Sequence, residues 1–131
     1  MKVLLDTHIW VWWLLASLPE RERIALNRIA SSGGIHLPAI CLWEAQMLHA
    51  KGRIQVAAPF PAWLRQATSP AVLTVLPLDT DIVLGLDALP QNFHGDPADR
   101  MIVATARLHN LPLATHDKNI RKSRLVKLWR A

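Results

Sequence analysis

Blocks of apolar and polar residues succeed one another along this chain, and they predict short buried strands separated by helices. Val3-Leu4-Leu5 is a continuous apolar run, the pattern of a strand covered on both faces. Ile9–Leu15 is apolar nearly all round, which predicts a buried helix, and Pro19 breaks it. Glu20–Ala30 carries Ile24, Leu26 and Ile29 as an imperfect stripe with Arg21, Arg23 and Arg28 outside, and a Ser31-Ser32-Gly33-Gly34 turn follows. Ile35–Leu37 predicts a second strand. Pro38 suits the first turn of a third helix, which runs to about Lys51 and stops at Gly52. A short helix at Pro59–Ala67, a strand at Val72–Leu76 and a helix from Asp79 or Thr80 to about Ala88 come next. Beyond a loop from Leu89 to Gly95, Pro97–His109 predicts a long helix ended by Asn110. A fourth strand at Leu111–Thr115, a helical turn at 118–122 and a fifth strand at Leu125–Leu128 complete the chain.

Short apolar strands alternating with helices indicate an α/β fold with a parallel sheet covered on both faces. In such sheets ligands bind outside the carboxyl ends of the strands. The 131 residues suit one domain spanning 1–131, with no linker or repeat to divide them. A composition 51% hydrophobic and 19% charged excludes a disordered chain. No apolar run approaches a membrane span, and no signal-peptide cleavage pattern follows the first apolar run, so a cytoplasmic protein without membrane contact is expected. The single cysteine, Cys41, excludes an internal disulfide and a cysteine-rich zinc site.

The net charge of +5 is unevenly spread. Residues 54–99 hold one base, Arg65, against Asp79, Asp81, Asp87, Asp96 and Asp99, whereas 118–131 hold only bases. Basic surface beside clustered acids suits a polyanion held over metal ions, although a basic run is commonly just a solvated face.

Four carboxylates stand where a parallel sheet would gather them. Asp6 follows the first strand; it is either a helix cap or, if Thr7 supplies the cap, a free group. Glu44 shares a helix face with Ile40 and Leu48, and either pairs with Lys51 or Arg53 or serves a site. In Asp96-Pro97-Ala98-Asp99, Asp96 fits the helix cap and Pro97 the first helical position. That leaves Asp99, on the side of Ile102, Val103 and Ala106, as the candidate ligand. Asp117 lies just past the fourth strand, as Asp6 does past the first, and could also cap the helix from Lys118. Four oxygen donors suit Mg²⁺ or Mn²⁺, ions that act on phosphodiesters through a bound water. No phosphate-binding glycine loop and no serine-hydrolase elbow is present. His8, His94 and His116 read as groups at the rim of such a site. Trp10, Trp12 and Trp13 read as core or a subunit interface before a base-stacking platform.

Leu4-Leu5-Asp6-Thr7-His8, Leu42-Trp43-Glu44, Lys51-Gly52-Arg53, Asp96 through Ala106 and Leu113-Ala114-Thr115-His116-Asp117 together resemble the PIN-domain ribonucleases, and within them the VapC-type toxins of toxin–antitoxin pairs. The resemblance spans essentially the whole chain. It implies a three-layer α/β/α sandwich with a five-stranded parallel sheet, and Mg²⁺- or Mn²⁺-dependent endonucleolytic cleavage of RNA. Asp6, Glu44, Asp99 and Asp117 correspond to the family's acidic cluster. Thr7 and Thr115 match supporting hydroxyls, and Arg100 the basic residue after the third acid. A homodimer and inhibition by a small VapB-type antitoxin are also implied. One departure is Cys41, where many relatives carry Ser or Thr. The expected function is therefore a metal-dependent endoribonuclease toxin, in which Asp6 and Asp99 are the main ligands. Glu44 and Asp117 complete the cluster, bind a second ion or orient the attacking water. The rivals are a nuclease acting on DNA or structured nucleic acid, and a non-catalytic nucleic-acid-binding module.

Overall fold

Val3–Leu5 (β1) is fully buried, and the rest of the sheet is assembled on it. Burying side chains of this size contributes about 1.5–3 kcal/mol each. The computed structural model describes residues 1–93 and 95–131; His94 lies outside the described residues. After β1 come α1 (Thr7–Leu14), α2 (Glu20–Ser31), β2 (Ile35–Pro38), α3 (Ile40–Ala50), α4 (Phe60–Ala67), β3 (Thr74–Leu76), α5 (Thr80–Asp87), α6 (Pro97–His109), β4 (Leu113–Ala114) and α7 (Lys118–Ser123).

The strands are all parallel and lie in the order β3-β2-β1-β4. Leu4 is the pivot of the register, facing His36 on one side and Leu113 on the other. The steps β1 to β2 and β2 to β3 run in one direction, and the step from β3 to β4 returns past β1. With right-handed crossovers, the returning connection through α5 and α6 lies on the opposite face from the earlier ones. The two directions part between β1 and β4, so the crevice for a ligand opens at the carboxyl ends of those two strands.

Local chemistry sets the helix that matters most here. Asp96 caps α6 by accepting the Asp99 N–H at 2.8 Å, Pro97 occupies the first turn, and Asn110 closes the helix in the left-handed region at φ 51°. Its inner face is built from Ala98, Ile102, Val103, Ala104, Thr105 and Ala106. Those small residues let α5 approach closely, Gly85 lying against Ala104. Because α6 leads into β4, it runs antiparallel to the strands, and its first turn sits at their carboxyl edge.

Two expectations are corrected. Pro38 does not open α3; it ends β2 opposite Leu76. It lies beyond the last β1–β2 pair, and the Ala39 N–H makes the closing bond to the Leu76 carbonyl at 2.9 Å, so the missing proline donor costs little. The sheet has four strands among the described residues, not five. The segment expected as a fifth strand forms a single parallel bridge between Leu128 and Leu113, flanked by Leu113 N–H to Lys127 at 2.8 Å and Trp129 N–H to Leu113 at 2.9 Å. The ladder stops there because the next groups facing that edge are taken: the Leu111 N–H bonds the Ala106 carbonyl at 3.0 Å and the Thr115 carbonyl accepts from the Arg121 guanidinium at 2.9 Å.

Candidate active site

The crevice between β1 and β4 gathers the acids from both halves of the chain. Asp6 is the residue after β1 and is only 6% exposed. It is itself the cap of α1, its Oδ1 accepting the Ile9 N–H at 2.8 Å. The expectation that Thr7 would cap this helix and free Asp6 is thus corrected. Thr7 is instead the first helical residue, and its buried hydroxyl donates to Glu44 Oε1 on α3. Glu44 therefore pairs across the fold with Thr7, not along the chain with Lys51 or Arg53.

A second hydroxyl makes the matching tie on the other strand. Thr115, buried just past β4, accepts the Asp117 N–H at 3.0 Å, and its hydroxyl stands near enough to the Asp6 carboxylate to favour its charged form. Asp117 caps α7, accepting the Ile120 N–H at 2.9 Å. Cys41 lies beside this pair, its thiol fully buried and close enough to Thr7 to be influenced by its hydroxyl. Burial raises its pKa well above the ordinary value, so it stays a neutral thiol and not a thiolate ligand.

Asp99 enters from α6, which packs on α3 at this edge. Burial pushes its pKa up from 3.8 to about 7, with the charges of Asp96, Asp117, Glu44 and Asp6 adding to the effect. Burial also raises Asp6 and Glu44; Thr115 and the Ile9 N–H oppose the rise at Asp6, and Thr7 opposes it at Glu44. Among the described residues no Lys or Arg forms an ion pair with any of these carboxylates. Arg100 turns away from them. Its Nη1 donates to the Phe93 carbonyl at 2.7 Å and its guanidinium lies over the Phe93 ring, which pins the loop entering α6. Gly95 in that loop is a requirement the sequence reading did not detect: a Cβ there would stand 2.8 Å from the Phe93 ring and 3.1 Å from the Asp99 Cβ. The dipeptide Gly95-Asp96 just before a Pro-initiated helix was the available signal.

The arrangement is a cluster of carboxylates with no Lys or Arg ion pair among the described residues, partly withdrawn from water and held in place by hydroxyls and caps. Among the described residues no three His, Cys, Asp or Glu side chains stand close enough to enclose one ion as they are. The donor set nonetheless fits a hard divalent cation in kind. It offers only carboxylate oxygens, and Mg²⁺ keeps several waters that span such gaps.

The chain matches the PIN domain family over residues 3–124. It is also 37% identical over 123 residues to ribonuclease VapC22 of Mycobacterium tuberculosis, which covers 93% of this chain and 92% of that one. The chain is a PIN-domain protein of the VapC type. Solved structures agree on the PIN fold. The VapBC2 assembly of Rickettsia felis, bound to a DNA fragment from its promoter, superposes with a TM-score of 0.74 at 17% identity over 98% of both chains. A toxin–antitoxin complex from Klebsiella pneumoniae gives a TM-score of 0.67 at 25% identity, covering 95% of each chain. Among the described residues, no helix of this PIN domain is long and apolar enough to cross a membrane.

Proposed function

We propose that this PIN domain is a Mg²⁺- or Mn²⁺-dependent endoribonuclease, the toxin of a toxin–antitoxin pair, and that it cleaves RNA phosphodiesters by an activated water. The observation that carries the reading is the convergence of Asp6, Glu44, Asp99 and Asp117 at the β1/β4 crevice with no Lys or Arg ion-paired to them among the described residues. Like charges partly withdrawn from water repel one another, and the raised pKa of Asp99 reflects this. A bound cation would relieve that repulsion. Asp6, Asp99, Glu44 and Asp117 would hold it, and when bound it supplies charge neutralisation of the phosphate and acidification of a water.

The chain's own groups do the positioning. Thr7 fixes the Glu44 carboxylate, and Thr115 fixes Asp6 relative to Asp117. Asp96 holds the first turn of α6 and so the height of Asp99, while Arg100 and Gly95 hold the loop before it. Burial and the neighbouring acids raise the Asp99 pKa to about 7, so in the metal-free site its carboxyl can hold a proton near neutral pH. The partners are an RNA substrate, which the relative's name of ribonuclease supports, and a VapB-type antitoxin, which the toxin–antitoxin complexes of the same fold support; a second copy of the chain follows from the family resemblance alone.

The test is cleavage of single-stranded RNA, transfer RNA and DNA with Mg²⁺, with Mn²⁺ and with chelator. RNA cut only with metal, and lost in Asp99→Asn while the circular dichroism spectrum is unchanged, is the expected result. Full activity of Asp99→Asn, or cleavage in chelator, would overturn it.

A further inference from the structure

The helix α1 buries Ile9, Trp10, Val11 and Trp13 but leaves His8 and Trp12 on the outside, Trp12 with 37% of its surface open. Their spacing of four puts both on one side of the helix. The His8 ring lies 5.4 Å from Trp12, and the His116 ring approaches it at 6.0 Å from the loop after β4. The rings are tilted by 53° and 42°, so neither covers the indole face to face. Both histidines stand close enough to Asp6 for its carboxylate to feel them.

The other side of His116 is held as well. Its Nε2 meets the two Glu22 carboxylate oxygens at 2.8 and 3.0 Å. Beyond that pair opens a cleft of about 440 Å³ whose floor is partly apolar, with Ile9, Pro19 and Trp129, and whose charged lining is Glu22, Arg21, Arg121 and Arg130. Glu22 is engaged with His116, which leaves three guanidinium groups as the dominant charge. Here the open indole is rimmed by imidazoles, with arginines beyond, a combination that matches a flat base joined to a phosphate.

We propose that Trp12, flanked by His8 and His116, is a stacking platform for one unpaired base of an RNA strand, and that the adjoining cleft takes a neighbouring phosphate on Arg21 and Arg130. The platform sits beside the acid cluster, so it sets which phosphate reaches the carboxylates. Stacking tolerates any base, so it governs position along the strand more than sequence. The proposal rests on the nuclease reading above, and it specifies single-stranded RNA as the substrate class.

Binding of a short fluorescein-labelled oligoadenylate is measured by anisotropy in the Asp99→Asn background, where the strand stays intact. Adding Trp12→Ala should raise Kd roughly 5- to 150-fold, the range of one base–aromatic stack, while Trp12→Phe keeps most of the affinity. Replacing adenosines one at a time by abasic units should find one position whose loss weakens the Trp12 chain and leaves Trp12→Ala unaffected. Arg21→Ala and Arg130→Ala should each reduce the salt slope by about one. Equal RNA affinity with and without the indole overturns the platform, as does absence of binding by both chains. So does a loss confined to self-association or to capture of a protein partner. RNA binding that depends on Trp12, in a chain whose unaltered form cuts nothing, would leave the platform standing and sink the nuclease reading. Metal-dependent cleavage indifferent to Trp12 would do the reverse.

Discussion

Replacing Asp99 by Asn should stabilise the metal-free protein at neutral pH. The Asp99 carboxyl is pushed up from 3.8 to about 7 by burial and by the neighbouring acids. Between those values the folded chain keeps a proton that the unfolded chain releases. Stability therefore falls as pH rises through this window, and the whole penalty is present above about pH 7. A shift of about three units corresponds to an upper bound of about 4 kcal/mol. Asp99 is only half-buried, and screening by solvent lowers the figure to about 2 kcal/mol. Asn has nearly the same shape and no charge, and the cap from Asp96 goes to its backbone N–H, so it removes the penalty without touching the cap. Thermal unfolding followed by circular dichroism in chelator should show Asp99→Asn melting roughly 6 °C above the unaltered chain at about pH 8, with the gap closing towards about pH 4. Mg²⁺ should invert the order, because an ion present at 100 times its Kd adds about 2.7 kcal/mol to the chain that binds it, a gain the variant forfeits. A variant that melts lower in chelator at high pH, or a gap independent of pH, would refute the repulsion on which the candidate site is argued.

Three further outcomes are expected. Asp96→Asn keeps the cap and should retain most RNA cleavage, while Asp96→Ala should lose about 1 kcal/mol by urea unfolding; a loss of cleavage in Asp96→Asn equal to that in Asp99→Asn would place Asp96 among the reacting groups. Thr7→Val leaves the Glu44 carboxylate without its hydroxyl donor and should cost about 1–3 kcal/mol by urea unfolding, with a fall in kcat for RNA larger than any change in KM. Asn110→Ala must hold a left-handed conformation and should lose about 1 kcal/mol, whereas Asn110→Gly should match or exceed the native melting temperature.

Features governed by neighbours in the chain were legible before folding. The stretch Asp96-Pro97-Ala98-Asp99 divided itself into a capping acid and a site candidate because a helix start places its first residues by local geometry alone, and the structure has that cap. The boundaries of α6, the left-handed Asn110 and the stop at Gly52 follow the same logic. Errors arose where a residue had two local solutions. Asp6 and Thr7 can each cap a helix, and only the arrival of Glu44 from α3 decided that Thr7 would turn to it. Pro38 suits a helix start or a strand end, and the length of the β2–β3 ladder chose the second. Trp12 looked like its neighbours Trp10 and Trp13, but the three point around a helix, and only one of the directions meets solvent beside His116.

The sequence by itself determined the α/β alternation, the helix ends and the list of carboxylates, because each depends on contacts within a few residues. It also carried the family resemblance, which is a property of order and spacing. The tertiary structure alone decided how these acids meet. The reversal of strand direction of travel between β1 and β4 opens one crevice. Hydroxyls from Thr7 and Thr115 then tie groups separated by 37 residues, in the case of Thr7 and Glu44, into one cluster. It also reduced an expected strand to one bridge, since the Leu111 N–H and the Thr115 carbonyl on either side of Leu113 are already bonded elsewhere and cannot extend a ladder. Charge repulsion, burial and ring stacking act through space, so the raised Asp99 and the open face of Trp12 exist only once the chain has folded.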